Sequence, residues 1–205
     1  MSIFPQVRFQ VSVAAPGQFP PDFGWEVAIA GRSNAGKSSV INALLARKGL
    51  AKTSCTPGRT RLYNYFELTP ERRLVDLPGY GHAAVNVATR ESWEPLGEAL
   101  LERESFAALL LVVDCRRGVS DMDIGLLDWA HRSPQRTHVL LNKSDKLSKS
   151  EALKTLRSAK TELEGRASCQ LFSALRGEGM EEARKLLLRW TTQQLEPDKE
   201  IAPAV

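Results

Sequence analysis

The run WEVAIAGRSNAGKSSVINALL, residues 25–45, constrains the fold more than any other part of this chain. Six mostly apolar residues of strand character enter a turn with glycines at 31 and 36. Lys37 and Ser38 then open a segment whose apolar residues Val40, Ile41, Leu44 and Leu45 recur at helical spacing. The glycines let the backbone fold so that successive N–H groups of Gly31, Arg32, Ser33, Asn34, Ala35 and Gly36 point inward, where a phosphate would sit. Lys37 supplies a charge for β and γ oxygens, the Ser38 hydroxyl can ligate Mg²⁺, and the helix adds the positive end of its dipole. A glycine-rich turn can match this pattern by chance, but the strand before it and the helix after it disfavour that.

The rest of the chain supports the same architecture. Strand-like runs EVAIA, LYNYFEL, RRLVDL, FAALLLVVD, THVLLN and SCQLFS alternate with SSVINALLA, WEPLGEALLER, DIGLLDWAHR, SEALKTLRSAKTELE and MEEARKLLLRW, which carry a helical period. That alternation predicts an α/β domain with a mostly parallel sheet of about six strands and helices on both faces. SKSE at 148–151 reads as a capping box that starts a helix just after Ser148. Residues 1–24, rich in proline and glycine toward their end, read as an N-terminal arm, 25–195 as the domain and 196–205 as a polar tail.

A chain of 205 residues, 42% hydrophobic and 25% charged, suits one soluble domain. The longest apolar run, FAALLLVV, is well short of the roughly 20 residues a membrane helix needs. The start carries no secretory pattern, Ser2 is no acylation site, and the end has no prenylation cysteine, so no membrane anchor is expected. Cys55, Cys115 and Cys169 are odd in number and far apart, which fits a reducing cytoplasm and neither a disulfide framework nor a metal pair. The net charge of +4 permits an anionic partner.

Guanine offers an N1–H and an amine that one carboxylate can accept together. LLNKSD supplies such a carboxylate, Asp145, just past an apolar strand. Asn142 would tie that loop to the phosphate loop, the Lys143 stem would lie along the base, and Ser144 completes the turn. In FSA, Phe172, Ser173 and Ala174 follow the last strand, and the Ala174 N–H could donate to guanine O6. In LVDLPGYG, Asp76 ends a strand where it can hold Mg²⁺ through water, Leu77 and Pro78 carry the chain on, and Gly79 can bring a backbone N–H to a γ-phosphate. A second Mg²⁺ ligand should come from the loop between, where Thr53, Thr56 and Thr60 compete. Tyr80 follows Gly79, and its phenol lacks the paired donor and acceptor by which an amide orients water, so hydrolysis of a bound triphosphate should be slow, and His82 is the nearest possible base.

GRSNAGKSS, TPGRT, DLPGYG, NKSDKLS and FSA, in this order and at these spacings, resemble the bacterial EngB (YihA or YsxC) family of translation-factor-related GTPases, from about Trp25 to Leu195. The resemblance implies a monomer that binds GTP or GDP with Mg²⁺ and acts in assembly of the large ribosomal subunit or its precursor, in contact with rRNA and needed for cell division and septation. It assigns the metal ligands to Ser38, Thr60 and, through water, Asp76, and the catalytic roles to Lys37, Thr60 and Gly79. It adds Gly58, Arg59, Arg61 and Leu62 to the nucleotide contacts. Asn34 resembles an asparagine that helps some GTPases hold K⁺ beside the phosphates, although a turn residue at an unusual backbone angle would look the same. Ala84 stands where the family leads one to expect a basic residue, and Asn142 where threonine is commoner. Between Arg32 and Phe66 there is no Asp or Glu, and the cations there, Arg47, Lys48 and Lys52 among them, exceed what one triphosphate needs, which fits RNA. The alternative is a signalling switch with a protein partner.

Overall fold

The computed structural model describes residues 3–52, 62–81, 88–132 and 136–192, apart from the side chains of 88–94. Seven strands form one sheet: β1 (Arg8–Val13), β2 (Trp25–Gly31), β3 (Tyr63–Thr69), β4 (Arg72–Asp76), β5 (Phe106–Asp114), β6 (Arg136–Asn142) and β7 (Ser168–Leu171), in the spatial order β1-β3-β4-β2-β5-β6-β7. Only β3 runs against the others. All nine residues of β5 are buried, as befits a strand inside a parallel sheet covered on both faces.

On one face lie α1 (Lys37–Leu44) and α5 (Met180–Trp190), whose Val40, Ile41, Leu44, Ala183, Leu187 and Trp190 join one core cluster. On the other lie α2 (Ala88–Leu101), α3 (Asp121–Ala130) and α4 (Lys149–Glu162), contributing Leu96, Leu100, Leu127, Ala130 and Ala159 to a second. The Ser148 hydroxyl accepts the Glu151 N–H and the Glu151 carboxylate accepts the Ser148 N–H, so the expected capping box starts α4.

The sheet has one strand more than the expected six, and it comes from the segment read as an arm. β1 pairs antiparallel with β3, placing Arg8 opposite Glu67 and Val13 opposite Tyr63, and Phe4, Val7 and Val13 are buried in the core. RFQVSV buries little but its end, so its apolar signal is weak; what fixes it is the free edge of β3. Farther on, Asp22 accepts hydrogen bonds from the Ser105 N–H, the Ser105 hydroxyl and the Glu104 N–H. Glu26, fully buried, accepts from Arg73 and, with both oxygens, from Arg103. The same two guanidinium groups donate to the Pro20, Pro21 and Phe23 carbonyls, binding the entry segment across the base of the sheet.

Strand register places the functional residues on the opposite rim. Ile29 is level with Asp76, Gly31 with Val112, and Asp114 with Asn142, so β2, β4, β5 and β6 end at one edge. That edge is where open α/β sheets hold ligands.

Candidate functional site

The loop from β2 into α1 has the backbone its sequence requires. Gly36, at φ +96°, caps α1, and a Cβ there would strike the Asn142 amide. Gly31 passes so close to β5 that a Cβ would lie 2.6 Å from the Val112 carbonyl oxygen. Asn34 is left-handed at φ +67°, a conformation asparagine tolerates better than most residues. Behind the loop a narrow pocket is lined by Arg32, Asn34, Ala35, Asp114, Arg117 and Asp123.

Lys37 extends to Asp76 and donates a hydrogen bond to its carboxylate. Burial raises the Asp76 pKa and outweighs the opposing pull of Lys37 and of a hydrogen bond from Asn64. Asn64 also accepts from Ser12, so β1 reaches the site through one intermediate. The Ser38 hydroxyl donates to the Lys52 carbonyl at 3.3 Å. These groups fit their expected ligands. An ammonium, a hydroxyl and a carboxylate 6% exposed gather at a helix N-terminus, suiting a triphosphate and a Mg²⁺ that takes few protein ligands.

Three loops are joined through Asn142. Its side-chain nitrogen donates to the Ala35 carbonyl at 2.9 Å and its oxygen accepts the Ala174 N–H at 3.2 Å. The expected tie to the phosphate loop is present, and the Ala174 N–H, expected to face guanine O6, is donated here to the Asn142 amide. Lys143, left-handed at φ +67°, sends its ammonium to the Asn34 carbonyl (2.5 Å) and to Asp114 (3.0 Å), so its stem spans the gap between base loop and phosphate loop. The Ser144 hydroxyl lies within hydrogen-bond reach of the Glu178 carboxylate and of the Phe172 carbonyl, with one proton to give between them. Asp145 is aimed by the Ser173 hydroxyl at 2.6 Å, which, with Lys146, holds its pKa below the usual carboxylate value.

Leu77 donates its N–H to the Ile29 carbonyl, and Gly79 packs against Ser33, with a virtual Cβ 3.2 Å from its hydroxyl. Gly31, Arg32, Ser33, Asn34, Ala35, Gly36, Lys37, Ser38, Asp76, Leu77, Pro78, Gly79, Asn142, Lys143, Ser144, Asp145, Phe172, Ser173 and Ala174 thus stand in four adjoining loops and the strand and helix ends that frame them, and Leu62 precedes β3. Thr53, Thr56, Gly58, Arg59, Thr60 and Arg61, with His82 and Ala84, lie outside the described residues.

Sequence reasoning missed Asp114, Asp123 and Glu178. Asp114 closes the apolar run of β5 as Asp76 closes that of β4, a parallel visible in the sequence. Burial acts against its charge, but hydrogen bonds from Arg116 and Lys143 win and hold its pKa far below the usual range. Asp123 stands three residues after Ser120, the spacing of a capping box.

Among known proteins, the family described as 50S ribosome-binding GTPase matches residues 26–143. The chain is 47% identical over 195 residues to the probable GTP-binding protein EngB of Azoarcus sp. (strain BH72), covering 93% of each. A crystal structure of a probable GTP-binding protein engB superposes with a TM-score of 0.63 at 20% identity, covering 82% of this chain and all of that one. Era in complex with MgGDPNP and nucleotides 1506–1542 of 16S ribosomal RNA gives 0.60 at 23% identity, over 87% of this chain and 60% of the other. The fold is therefore that of a P-loop GTPase, with no described helix long and apolar enough to cross a membrane. With identity sustained over nearly its whole length, the chain belongs to the EngB family of GTP-binding proteins, GTPases of the ribosome-binding group.

Proposed function

We propose that this chain is a cytoplasmic, monomeric GTP-operated switch that joins the large ribosomal subunit or its precursor during assembly, contacts rRNA, and thereby supports cell division. One observation carries the nucleotide reading: Asn142 holds the phosphate loop and both base-side loops in one hydrogen-bonded unit, with Asp145 already oriented by Ser173. A site with its donors and acceptors pre-set loses little entropy when guanine nucleotide arrives. Residues 25–195 carry the site, and the segment before them closes the sheet edge.

In hydrolysis a water oxygen bonds to the γ-phosphorus as the bond to the β–γ bridging oxygen breaks, leaving GDP and inorganic phosphate. Lys37, drawn from Asp76 to the phosphates, neutralises charge, and the amides of the loop and of Gly79 donate to the oxygens where negative charge collects. Ser38, Thr60 and, through water, Asp76 would hold Mg²⁺, which supplies further charge neutralisation. Tyr80 lacks the paired donor and acceptor of a glutamine amide, so unassisted turnover is slow. The K⁺ expected beside Asn34 is a separable part of this reading. Hydrolysis in K⁺ and Na⁺ tests it, and equal rates would leave the left-handed backbone as the whole reason for the asparagine.

The deciding experiment is co-sedimentation with separated ribosomal subunits in GTP, GDP and a non-hydrolysable GTP analogue. Binding to the large subunit, strongest with the analogue and weakening steeply with salt, is the expected result. Arg47 is already bound to the Pro5 carbonyl, so the RNA contact is better probed at Lys48 and Lys52, whose replacement by alanine should flatten the salt dependence. Equal sedimentation in all three nucleotides would overturn the switch.

A further inference from the structure

Tyr80 occupies the position after Gly79 where many GTPases keep a water-orienting glutamine, and it is bound at three points. Its carbonyl accepts the Ser33 N–H at 2.8 Å, and its own N–H donates to the Gly31 carbonyl at 3.4 Å. Together with the Leu77 N–H on the Ile29 carbonyl at 3.0 Å, these bonds fasten the chain on both sides of Gly79 to β2 and the phosphate loop. The third point is the hydroxyl, which donates to Asp123 Oδ1 at 2.5 Å.

The acceptor is fixed independently. Asp123 is 1% exposed, and its other oxygen accepts the Ser120 N–H at 2.8 Å and the Ser120 hydroxyl at 2.5 Å at the start of α3. Burial first, and then the neighbouring carboxylate, push the Tyr80 pKa far up, with Arg32 opposing more weakly, so the phenol stays a donor.

We propose that Tyr80, anchored on Asp123, is a positioning residue that holds Gly79 back against Ser33 in the arrangement suited to GDP, and so sets the preference between GDP and GTP. The Gly79 N–H can be drawn to a third phosphate only if the bonds on either side of it loosen. Ser33 belongs to the phosphate loop, and its N–H is committed to Tyr80 while they hold. A ligand shifts such an equilibrium only through its differential affinity for the two arrangements. The cost of breaking the anchor is therefore subtracted from the wild-type affinity for GTP and not from that for GDP, and a variant without the anchor is spared it. The inference rests on reading the site as one for guanine nucleotides.

The test is Tyr80→Phe, which keeps the ring and both backbone bonds and removes the hydroxyl. Affinities for GDP and for a non-hydrolysable GTP analogue are measured in Mg²⁺ by calorimetry. The expected result is an analogue-to-GDP affinity ratio about tenfold higher than in the wild type, the change that loss of one charge-assisted hydrogen bond allows. Asp123→Asn should move the ratio the same way, and the double variant no further than the larger single effect, because the two residues act through one bond. Melting temperatures separate this from a general loss of stability, which would lower both affinities together. Wild-type binding with an unchanged ratio in Tyr80→Phe, or parallel loss of both affinities, overturns the inference alone. A wild-type chain that binds neither nucleotide overturns the site reading and this inference together.

Discussion

Asp145 and Asn142 divide the work at the residue scale. Asn142 uses both ends of its amide to join loops, whereas Asp145 keeps a carboxylate that Ser173 steers without neutralising. Asp145→Asn should keep the Ser173 bond and therefore the fold. GTP affinity should nevertheless fall by roughly a hundredfold or more, as two charge-assisted hydrogen bonds are lost. Xanthosine triphosphate, whose altered edge suits an amide, should gain; unchanged GTP binding in a titration would remove Asp145 from the base site. The place of this loop was legible because NKSD follows an apolar strand in a chain with an identified phosphate loop, and the structure sets that strand two places from β2 on the same rim. Asp123 was not, since its role depends on Tyr80, 43 residues away, and no local spacing records that meeting.

At the scale of elements, the join between α1 and α5 decides how firmly the phosphate loop is backed. α1 has eight residues and no basic residue in its last turn. Arg184 of α5 supplies one, donating to the Leu44 and Ala43 carbonyls at 2.9 and 2.8 Å, at the end where a helix leaves carbonyls short of i+4 partners; Ala43 also accepts the Ala46 N–H. Arg184→Met should cost about 1–3 kcal/mol in urea unfolding, with the aliphatic stem preserved. No shift of the midpoint would mean that water replaces the guanidinium. Six strands and five helices could be read from the sequence because buried parallel strands are long apolar runs and the helices between them show a clear period. β1 escaped because an edge strand with one mostly solvated face has no such run, and neighbouring prolines and glycines pointed to irregular chain.

Two features govern the molecule as a whole. His138 sits between Ser168 and Gln170 with Trp190 nearby, and burial brings its pKa down to about 4, against which the Gln170 bond does little. Its folded value lies below its unfolded value of about 6.5, so the unfolded chain binds the proton first as pH falls. The contribution of His138 to stability should be complete above about pH 6.5 and lost between there and pH 4, by up to roughly 3 kcal/mol. Urea midpoints at pH 7 and pH 5 should differ more for the wild type than for His138→Gln; equal differences would show that other groups dominate.

The second is the edge strand. A chain cut to begin at Trp25 would leave the outer edge of Tyr63–Thr69 without its strand partner, while its inner edge stays paired with β4, and would remove Ser12 from Asn64, the neighbour of Asp76. It should scatter light at concentrations where the whole chain stays clear, since open edges recruit one another. The pairing also orders events in time. Arg8 meets Glu67, 59 residues later, so during synthesis the first strand made has no partner until the β3–β4 hairpin has left the ribosome. The phosphate loop can be complete before that moment, but the segment that delivers Asp76 cannot, and the start of the chain waits for it.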